Sequence, residues 1–293
     1  MDRRQLEVFL AVVEYGSMSR AALNLGVSQP SVSQTVRALE RQVGSKLFDR
    51  RASRLEPTQA GAALVGPARR IMREFAAAAK AVAGIVDVRA GRLDLAVPGI
   101  LARFPLVSIL TAFSTTYPLV LVRVEDQTTV TGVWDAVTTG RAEIGFVTTL
   151  EDPAMHAVLL GRHTLKAVYP PGTPDPGRPV GPADIAATSW ISGPPLGFQT
   201  RLTLQQVMAR SGHVLKPRIQ TAHRQAIPQL VLSGVGPAML IAEEAAELAA
   251  FGAVVRDINP EIDRPFYLVH RREALSDAAQ AFVDIALRLS PNF

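Results

Sequence analysis

Cysteine is absent from the 293-residue sequence. Its absence excludes a disulfide framework, a thiolate metal site, a cysteine nucleophile and thiol-based redox sensing. Long apolar runs are missing too: no stretch reaches the roughly 18 uncharged apolar residues of a membrane-spanning helix, and the amino-terminus carries charges where a signal peptide would be apolar. We therefore expect a soluble, cytoplasmic protein with no membrane partner.

Recognisable catalytic and metal-binding motifs are also missing. The histidines, at positions 156, 163, 213, 223 and 270, show no metal-ligand spacing, and no GxSxG, Walker or GxGxxG motif stands between a strand and a helix. We predict no catalytic residue, no metal site, no cofactor and no enzymatic activity. His223 and Arg224 precede a predicted helix and could face a cleft, although an isolated histidine is more often a surface or hydrogen-bonded residue.

Positive charge is concentrated in the first third of the chain. Residues 1–92 contain 15 Lys and Arg against 8 Asp and Glu, whereas residues 93–293 contain 16 against 18. A localised basic face suits a polyanion, because each phosphate that is neutralised releases condensed counterions; a merely solvated basic surface is the alternative. The length predicts two or three modules.

Three short helices are predicted within the first 45 residues. Apolar residues at helical spacing mark residues 3–15, which end at Gly16, and a second helix of small residues, capped by Ser17 or Ser19, ends at Gly26. Ser28 is the expected N-cap of the third helix. Its apolar stripe consists of Val32, Val36, Leu39 and Val43.

The opposite face of the third helix carries hydrogen-bonding side chains. Gln can bond adenine with two hydrogen bonds, Arg can bond guanine or phosphate, and Ser suits either. After Gly44, Leu47 and Phe48 anchor a predicted basic hairpin, the wing. A solvated helical bundle is the alternative to DNA binding. The candidate DNA-binding residues on the helix are Ser28, Gln29, Pro30, Ser33, Gln34, Arg37 and Arg41, and those on the wing are Arg50, Arg51 and Arg54.

The segment GSMSRAALNLGVSQPSVSQTVRALERQVGSKLFDRRASRLEPTQAG resembles the helix-turn-helix of the LysR-type transcriptional regulators. The match covers the small residues of helix two, SQP-S-S at the start of the recognition helix, LE near its end, G-LF-R at the wing and L-T-AG after it. The resemblance implies that Gln29, Pro30, Ser33, Gln34 and Arg37 face DNA. It places Arg50, Arg51, Arg54 and Thr58 near the backbone or minor groove.

A long linker helix is predicted after Thr58. Leu64, Ala68, Ile71, Phe75, Ala78, Val82 and Ile85 follow alternating steps of four and three, the repeat of a coiled-coil seam. An ordinary amphipathic helix packed on its own domain is the alternative. Pro67 should bend the helix or mark a restart near Gly66. The outer residues Arg69, Arg70, Arg73 and Lys80 could extend the basic surface, and the family resemblance implies antiparallel dimerisation through this helix.

The carboxy-terminal two hundred residues predict an α/β domain with two lobes. Strand-like runs at 91–97, 119–125 and 143–147 alternate with helices at 101–116 and 130–139, which indicates a parallel sheet. A second set follows, and a last strand at 265–270 and helix at 276–289 return to the first lobe. The strands of this second set, which forms the second lobe, are at 165–169, 190–192, 216–220 and 238–242, and its helices are at about 201–211 and 225–233. The resemblance implies a periplasmic-binding-protein-like effector domain.

Ligands of open α/β sheets bind beyond the carboxyl ends of the strands. The hydroxyl-rich QTTVT run could hold a carboxylate, although simple helix capping is an equal alternative. The resemblance implies that the cleft is an inducer site. The candidate effector-binding residues are Pro98, Gly99, Ile100, Thr128, Thr129, Thr131, Thr148, Ser192, Gly193, Phe198 and Thr200.

The sequence thus predicts an α + α/β protein. Residues 1–58 form a winged helix-turn-helix, 59–90 a long linker helix, and 91–293 a two-lobed effector domain, with lobe I at about 91–162 and 268–293 and lobe II at about 163–267. We predict a sequence-specific transcriptional regulator whose partners are double-stranded DNA, a small-molecule effector, further copies in a homodimer and homotetramer, and RNA polymerase. The rivals are a solute-binding module or vestigial enzyme with an interaction domain, and a structural DNA-binding protein without an effector.

Overall fold

The computed structural model describes residues 1–49, 55–83, 91–127, 129–193, 199–272 and 275–293. The predicted wing arginines Arg50, Arg51 and Arg54, the linker residue Ile85 and the candidate effector residues Thr128 and Phe198 lie outside this part of the chain. None of the described helices has the length and apolar character that crossing a bilayer requires.

The amino-terminal head consists of three helices and a short hairpin. Its elements are α1 (Arg3–Tyr15), α2 (Met18–Leu25), α3 (Gln29–Val43), β1 (Phe48–Asp49) and β2 (Glu56–Pro57). Side-chain caps begin each helix at Asp2, Ser17 and Ser28, and Gly26 and Gly44 end α2 and α3 in the left-handed region that glycine adopts without strain. The predicted helices and caps are therefore confirmed.

The linker helix α4 (Gln59–Ala83) runs without interruption through Pro67. Of the two effects predicted for Pro67, a bend or a restart near Gly66, the restart is therefore wrong. The first part of the predicted seam packs on the chain's own head, where Ala68 is fully buried and Leu64 and Ile71 are partly buried. The second part is different, since Phe75 is 45% exposed and Ala78 is also exposed.

Lobe I has helices on both faces of its strands. The chain forms β3 (Gly91–Val97), α5 (Gly99–Arg103), α6 (Leu106–Thr116), β4 (Val120–Asp126), α7 (Val130–Thr138), β5 (Ile144–Val147) and, at its end, α12 (Asp277–Leu289). Strand β3 pairs in parallel with both β4 and β5. The single helix predicted over 101–116 is wrong: it is two helices, because Pro105 lacks an amide hydrogen and disfavours helical geometry at Phe104.

Lobe II has the same layered plan. It contains α8 (Pro182–Ala187), β7 (Ser189–Ser192), α9 (Gln199–Arg210), β8 (Lys216–Gln220), a 3-10 turn (Arg224–Ala226), α10 (Ile227–Leu232), β9 (Ala238–Ile241), α11 (Ala242–Ala249) and β10 (Val254–Arg256). Strands β7, β8 and β9 are parallel. Helices α8 and α11 were not predicted, although the acidic first turn of α11 is a helix-start signal.

Two long strands cross between the lobes. Strand β6 (Met155–Tyr169) pairs antiparallel with β11 (Asp263–Arg271) and, further along, with β9. Strand β11 also pairs antiparallel with β5, so the nine described strands of the two lobes, β3 to β11, form one sheet that spans both lobes. The strand predicted at 165–169 is therefore ten residues too short at its start, because residues 155–164 (MHAVLLGRHT) show no regular apolar alternation and are held as a strand by pairing with β11.

Candidate DNA-binding surface and interlobe cleft

Helix α3 has one buried and one exposed face. Val32, Val36 and Leu39 are at most 1% exposed and pack against α1 and α2, whereas Val43, the last member of the predicted stripe, is 40% exposed at the helix end. Each predicted DNA-facing side chain of α3 lies on the other side, with Ser33 half-buried and the rest exposed. The exposed ones are Gln29, Pro30, Gln34, Arg37 and Arg41.

A groove of about 1030 Å³ lies between the exposed face of α3 and the start of the wing. Glu40 fixes this arrangement: although it is only 5% exposed, its carboxylate accepts hydrogen bonds from Leu47 N at 3.0 Å and Lys46 Nζ at 2.9 Å. These two hydrogen bonds fix the position of Lys46 and Leu47, the residues that lead from α3 into the wing. The residues lining the groove are Gln29, Pro30, Ser33, Gln34, Arg37, Glu40, Arg41, Gly44, Ser45 and Lys46.

Two of the candidate DNA-binding residues cap helices. The Ser28 hydroxyl accepts from Ser31 N at 3.4 Å, and the Thr58 hydroxyl accepts from Gly61 N at 3.1 Å while donating to the Lys46 carbonyl at 2.6 Å. Ser28 is exposed and directly precedes Gln29 and Pro30, which line the groove. Thr58 is half-buried and its hydroxyl joins the linker helix to the start of the wing.

The interlobe cleft follows from strand direction. Strand β5 runs antiparallel to β11, and β11 runs antiparallel to β6, so β5 points in the same direction as β6, toward lobe II. Strand β9 runs antiparallel to β6 and so points toward lobe I. The carboxyl ends of the parallel strands in each lobe therefore face the other lobe, which is where α/β sheets bind ligands.

The structure brings most described candidate residues to this edge. Pro98, Gly99 and Ile100 follow β3, and Ile100 packs against the apolar clusters of both lobes. Thr129 caps α7 by accepting from Gly132 N at 3.1 Å, so the capping alternative holds for its hydroxyl, while Thr131 is exposed on the first turn. The remaining ones stand at strand ends or just beyond them: Thr148 after β5, Ser192 and Gly193 at β7, and Thr200 in the first turn of α9.

A cavity of about 330 Å³ opens between α5 of lobe I and α10 and α11 of lobe II. Among the candidate effector residues that the structure describes, Gly99 alone lines it, and Arg224, which the sequence placed near a cleft, lines it as well. Sequence reasoning missed the others, although Glu244 follows closely after the predicted strand at 238–242 and the strand-end rule could have found it. The remaining lining residues are Arg103, Gln225, Pro228, Gln229, Leu232, Glu244, Glu247, Leu248 and Phe251.

Ion pairs cross and border the cavity. Arg103 of lobe I pairs with Glu247 of lobe II through exposed side chains. Arg224 pairs with the nearly buried Glu244 at 2.6 Å. Both walls of the cavity therefore present a charged donor next to a carboxylate.

Two basic side chains are buried close together on the paired strands β6 and β11. His163 and Arg264 are 4% and 7% exposed, and the His163 ring stacks on Phe266 with centroids 4.4 Å apart. Burial, reinforced by Arg264 and Arg224, lowers the pKa of His163 to about 4, so the ring is neutral at pH 7. Burial and Arg224 also lower the pKa of Arg264, to about 10, which leaves it charged. Arg224 thus lies close to a buried cationic group.

Unpaired polar atoms are concentrated at the same edge. Of four buried side-chain atoms in the described part that find no hydrogen-bond partner within the protein, three follow strands that end at the cleft: Thr148 Oγ1, Arg224 Nε and Glu243 Oε2. The fourth is Trp134 Nε1. Buried polar atoms that lack partners are costly, and a ligand that bonds to them offsets this cost. No group of three or more metal-ligating side chains occurs among the described residues.

Comparison with known proteins matches both halves of the chain. A family described as bacterial regulatory helix-turn-helix protein, lysR family, matches residues 3–62, and the LysR substrate binding domain matches residues 87–290. The Transcriptional activator protein LysR of Escherichia coli (strain K12) is 30% identical over 96% of this chain and 91% of its own length. The HTH-type transcriptional regulator CbbR of Rhodospirillum rubrum is 28% identical, covering 96% of this chain and 94% of the relative.

Solved structures share the whole fold. Full-length CbnR complexed with its target DNA superimposes with a TM-score of 0.67 at 24% identity and covers 99% of this chain and 100% of that one. Full-length OxyR from Pseudomonas aeruginosa gives a TM-score of 0.78 at 17% identity, with 99% and 94% of the two chains covered. The order of head, linker helix and two-lobed domain is therefore that of known full-length regulators.

Proposed function

Since this chain belongs to the LysR family of bacterial transcriptional regulators, we infer that its DNA contacts are made by the exposed face of α3 described above. The chain is a DNA-binding regulator that responds to an effector in its carboxy-terminal domain, and it is not an enzyme. One observation supports our assignment most directly: an exposed polar stripe on α3 whose opposite side is fully buried. Such a helix can enter a major groove without loss of its packing.

We propose distinct roles along this face. Gln34 and Arg37, in the middle of the exposed stripe, read base edges, since amide and guanidinium groups form paired hydrogen bonds with adenine and guanine. Ser28, Gln29, Pro30, Ser33 and Arg41 set the position of the helix on the backbone and groove wall, together with the wing residues Arg50, Arg51 and Arg54. Thr58 acts by holding the wing to the linker helix, because its hydroxyl is bonded within the protein.

The test is binding to a duplex selected by the wild-type protein from a random-sequence pool. Arg37→Ala and Gln34→Ala should each weaken binding to this duplex by about 1 to 3 kcal/mol and relax the preference at one base position. Arg210→Ala, an exposed arginine at the end of α9, is the matched control and should have no effect. A loss that is the same for selected and scrambled duplexes would show that Arg37 and Gln34 do not read bases.

We also propose that the effector is a small carboxylate that occupies the cavity between α5 and the two helices of lobe II. Arg224 offers an unpaired Nε, and the charged Arg264 lies close to it at the base of the cleft. Glu243 Oε2, an unpaired acceptor, belongs to the residue before the lining residue Glu244 and does not itself line this cavity. Thr148 adds a hydroxyl to the same edge.

A thermal-shift screen of small mono- and dicarboxylates, each paired with its uncharged amide, tests this assignment. A binding acid at about 100 times its Kd should stabilise the domain by roughly 2.7 kcal/mol, and its amide should not. Arg224→Gln should abolish the shift, whereas the control Arg210→Gln should retain it. Stabilisation by the amides alone would contradict an anionic effector.

Self-association is proposed from exposed apolar residues. Phe75 and Ala78 continue the linker seam beyond the head, and Leu119, Leu121 and Val124 lie exposed on or beside β4, an edge of the sheet. We propose that the linker pairs two chains and that a second contact joins dimers into a homotetramer. Light scattering should show that Phe75→Glu reduces the mass of the assembly in solution; an unchanged mass would exclude the linker contact.

We further propose that the assembly acts in the cytoplasm and contacts RNA polymerase.

A further inference from the structure

Helix α7 has one end at the interlobe cleft. Its N-cap Thr129 comes three residues after β4, whose carboxyl end lies at the edge that faces lobe II. Gly132, in the first turn, allows Gln127 to approach closely: a Cβ at this position would stand 2.5 Å from Gln127 Oε1. A movement of Gln127 therefore acts directly on the first turn of this helix.

The body of α7 is held firmly against the sheet. Val133, Ala136 and Val137 are fully buried and pack with Val147 and Val269 on the strands below. Nine residues at 1.5 Å each make a rod of about 14 Å. Close-packed interiors transmit displacement because they compress little. A shift at the amino end of α7 must therefore appear at its carboxyl end.

The carboxyl end of α7 is seated against the linker helix. The backbone of α4 at Gly66 lies so close to the Thr139 carbonyl that a Cβ on Gly66 would stand 1.5 Å from that oxygen. Gly66 is buried in the middle of a continuous helix, where glycine costs helix stability relative to alanine. The glycine is explained by this contact, since any side chain there would push α4 away from lobe I.

Hydrogen bonds from arginine side chains stabilise the same contact from both sides. Arg70 Nη1 donates to the Thr139 carbonyl at 2.8 Å and Arg69 Nη1 to the Arg141 carbonyl at 2.9 Å, while Arg271 of β11 donates to the Val137 carbonyl at 2.5 Å. Cationic side chains at the end of a helix are favoured by its dipole and by its unpaired carbonyls. Arg69 and Arg70 therefore do not extend the DNA-binding surface, which corrects our expectation from the sequence.

The head itself also contacts lobe I. Glu14, near the end of α1, pairs with Arg92 at 3.2 Å and with Arg123 of β4, and Arg92 is oriented by Asp94 at 2.7 Å. These groups are 13% to 38% exposed, so the pairs are partly shielded from solvent. Head and linker of one chain are thus attached to lobe I at two separate places.

We propose that α7 is a lever that couples the interlobe cleft to the DNA-binding head: its amino end is displaced when the lobes move around the effector, and its carboxyl end rests against the backbone of α4 at Gly66. The lever explains how a small lobe movement turns the head without any change in the head's own fold. The proposal rests on the function proposed above, in that the cleft is the effector site. The attachment of head and linker to lobe I is tested separately from that function.

The first experiment tests attachment in the free protein. The chain has no native cysteine, so Glu14→Cys combined with Arg123→Cys provides two unique thiols for a short bismaleimide. We expect a cross-linked monomer, which moves as a compact band in a denaturing gel. A covalent dimer would show that the contact is made between subunits, and absence of any cross-link would show that the head is not attached; either result overturns the proposal.

The second experiment follows the lever itself by ¹⁹F NMR of protein labelled with fluorotryptophan. The sequence has two tryptophans: Trp134 lies on α7, and Trp190, buried in lobe II, is an internal control. Gly66→Ala should shift the Trp134 resonance and leave that of Trp190 in place. The control Ala63→Gly changes an exposed residue of the same helix and should shift neither. An unchanged Trp134 resonance in Gly66→Ala would refute the coupling.

The third experiment connects the lever to DNA. Gly66→Ala should bind the selected duplex as the wild type does, yet lose the change in footprint caused by the acid with the largest thermal shift in the wild-type screen. A Gly66→Ala variant that still changes its footprint overturns the lever. If no acid shifts the wild type, the proposed effector class fails, whereas the cross-linking and Trp134 results still decide whether the attachment exists.

Discussion

The DNA-binding surface and the interlobe cleft are built in opposite ways. The groove beside α3 is lined by residues 29–46, a single continuous segment. The cavity between the lobes takes its lining from three segments, around residues 99–103, 224–232 and 244–251. A surface made from one helix depends on local packing beneath that helix, whereas a cleft made from distant segments depends on the sheet that brings them together. A substitution or a change in pH should therefore be able to destabilise one of these two regions without the other.

The largest separation is expected from a substitution in the head core. Leu39→Ala removes a fully buried side chain beneath α3 and should cost about 2 to 5 kcal/mol. Calorimetry should show the transition of the head lowered while that of the effector domain stays in place, and binding to the selected duplex should be lost. Leu23→Ala, at a residue that is 84% exposed, is the control and should change neither. Equal destabilisation of both regions would contradict independent cores.

A decrease in pH should have the reverse effect, because it should destabilise the effector domain more than the head. The folded pKa of His163, about 4, lies below its ordinary value of 6.5, so the unfolded chain binds the proton first as pH falls. Stability due to neutral His163 is therefore complete above about pH 6.5 and is lost toward pH 4, by about 3 kcal/mol. Chemical unfolding of the effector domain should show this slope in the wild type and a shallower one in His163→Gln.

Arg224→Gln sharpens the pH comparison. Removing one of the two cations that lower the pKa of His163 should raise that pKa, so the loss of stability below about pH 6.5 should become smaller and should end at a higher pH. NMR titration of the His163 ring measures the shift directly. A ring that titrates at its ordinary value in the wild type would mean that His163 is not buried as described.

A smaller effect is expected at the start of α3. Ser28→Ala removes the N-cap and should cost about 1 kcal/mol of head stability. It should weaken DNA binding modestly and leave the carboxylate-induced thermal shift unchanged. Ser31→Ala, one turn into the same exposed surface, is the matched control for the lost hydroxyl.

The smallest effect is expected at the ion pair between the lobes. Arg103 and Glu247 are 51% and 43% exposed, and pairs of this kind contribute only about 0.2 to 1 kcal/mol. Arg103→Ala should leave the melting temperature almost unchanged. Its effect, if the pair holds the lobes together, should appear as a difference in small-angle scattering at low salt that disappears at high salt.

The head was largely predictable because its signals are local. Apolar spacing, serine caps and glycine stops fixed α1, α2 and α3, and the polar stripe of α3 follows from the same spacing. Glu40 shows where such reasoning stops. A charged residue in a helix is expected at the surface, yet Glu40 is buried because Lys46 and Leu47, just after α3, supply two donors to its carboxylate.

The position of the cleft was predictable from the sequence, but many of the residues that line it were not. The strand-end rule found Gly99 and Thr148, and it fits Arg224 and Glu243, but it says nothing of Arg103 or Glu247, which lie on helices that meet across the cleft. The length of β6 was also hidden, because its pairing with β11 joins residues about a hundred positions apart. Pattern within one strand carries no information about such a partner.

The sequence by itself determined which segments are helices of the head, which face of α3 is polar, and that two α/β lobes follow a long helix, since all of these are set by side-chain periodicity over a few turns. Only the tertiary structure decided what those segments touch. In the tertiary structure Arg69 and Arg70 donate hydrogen bonds to carbonyls of lobe I and do not form the basic surface that the sequence predicted. The structure also explains why residue 66 is a glycine, since the backbone of α4 contacts the Thr139 carbonyl there. The sequence could not predict this contact, because a contact between two backbones produces no periodic pattern of side chains.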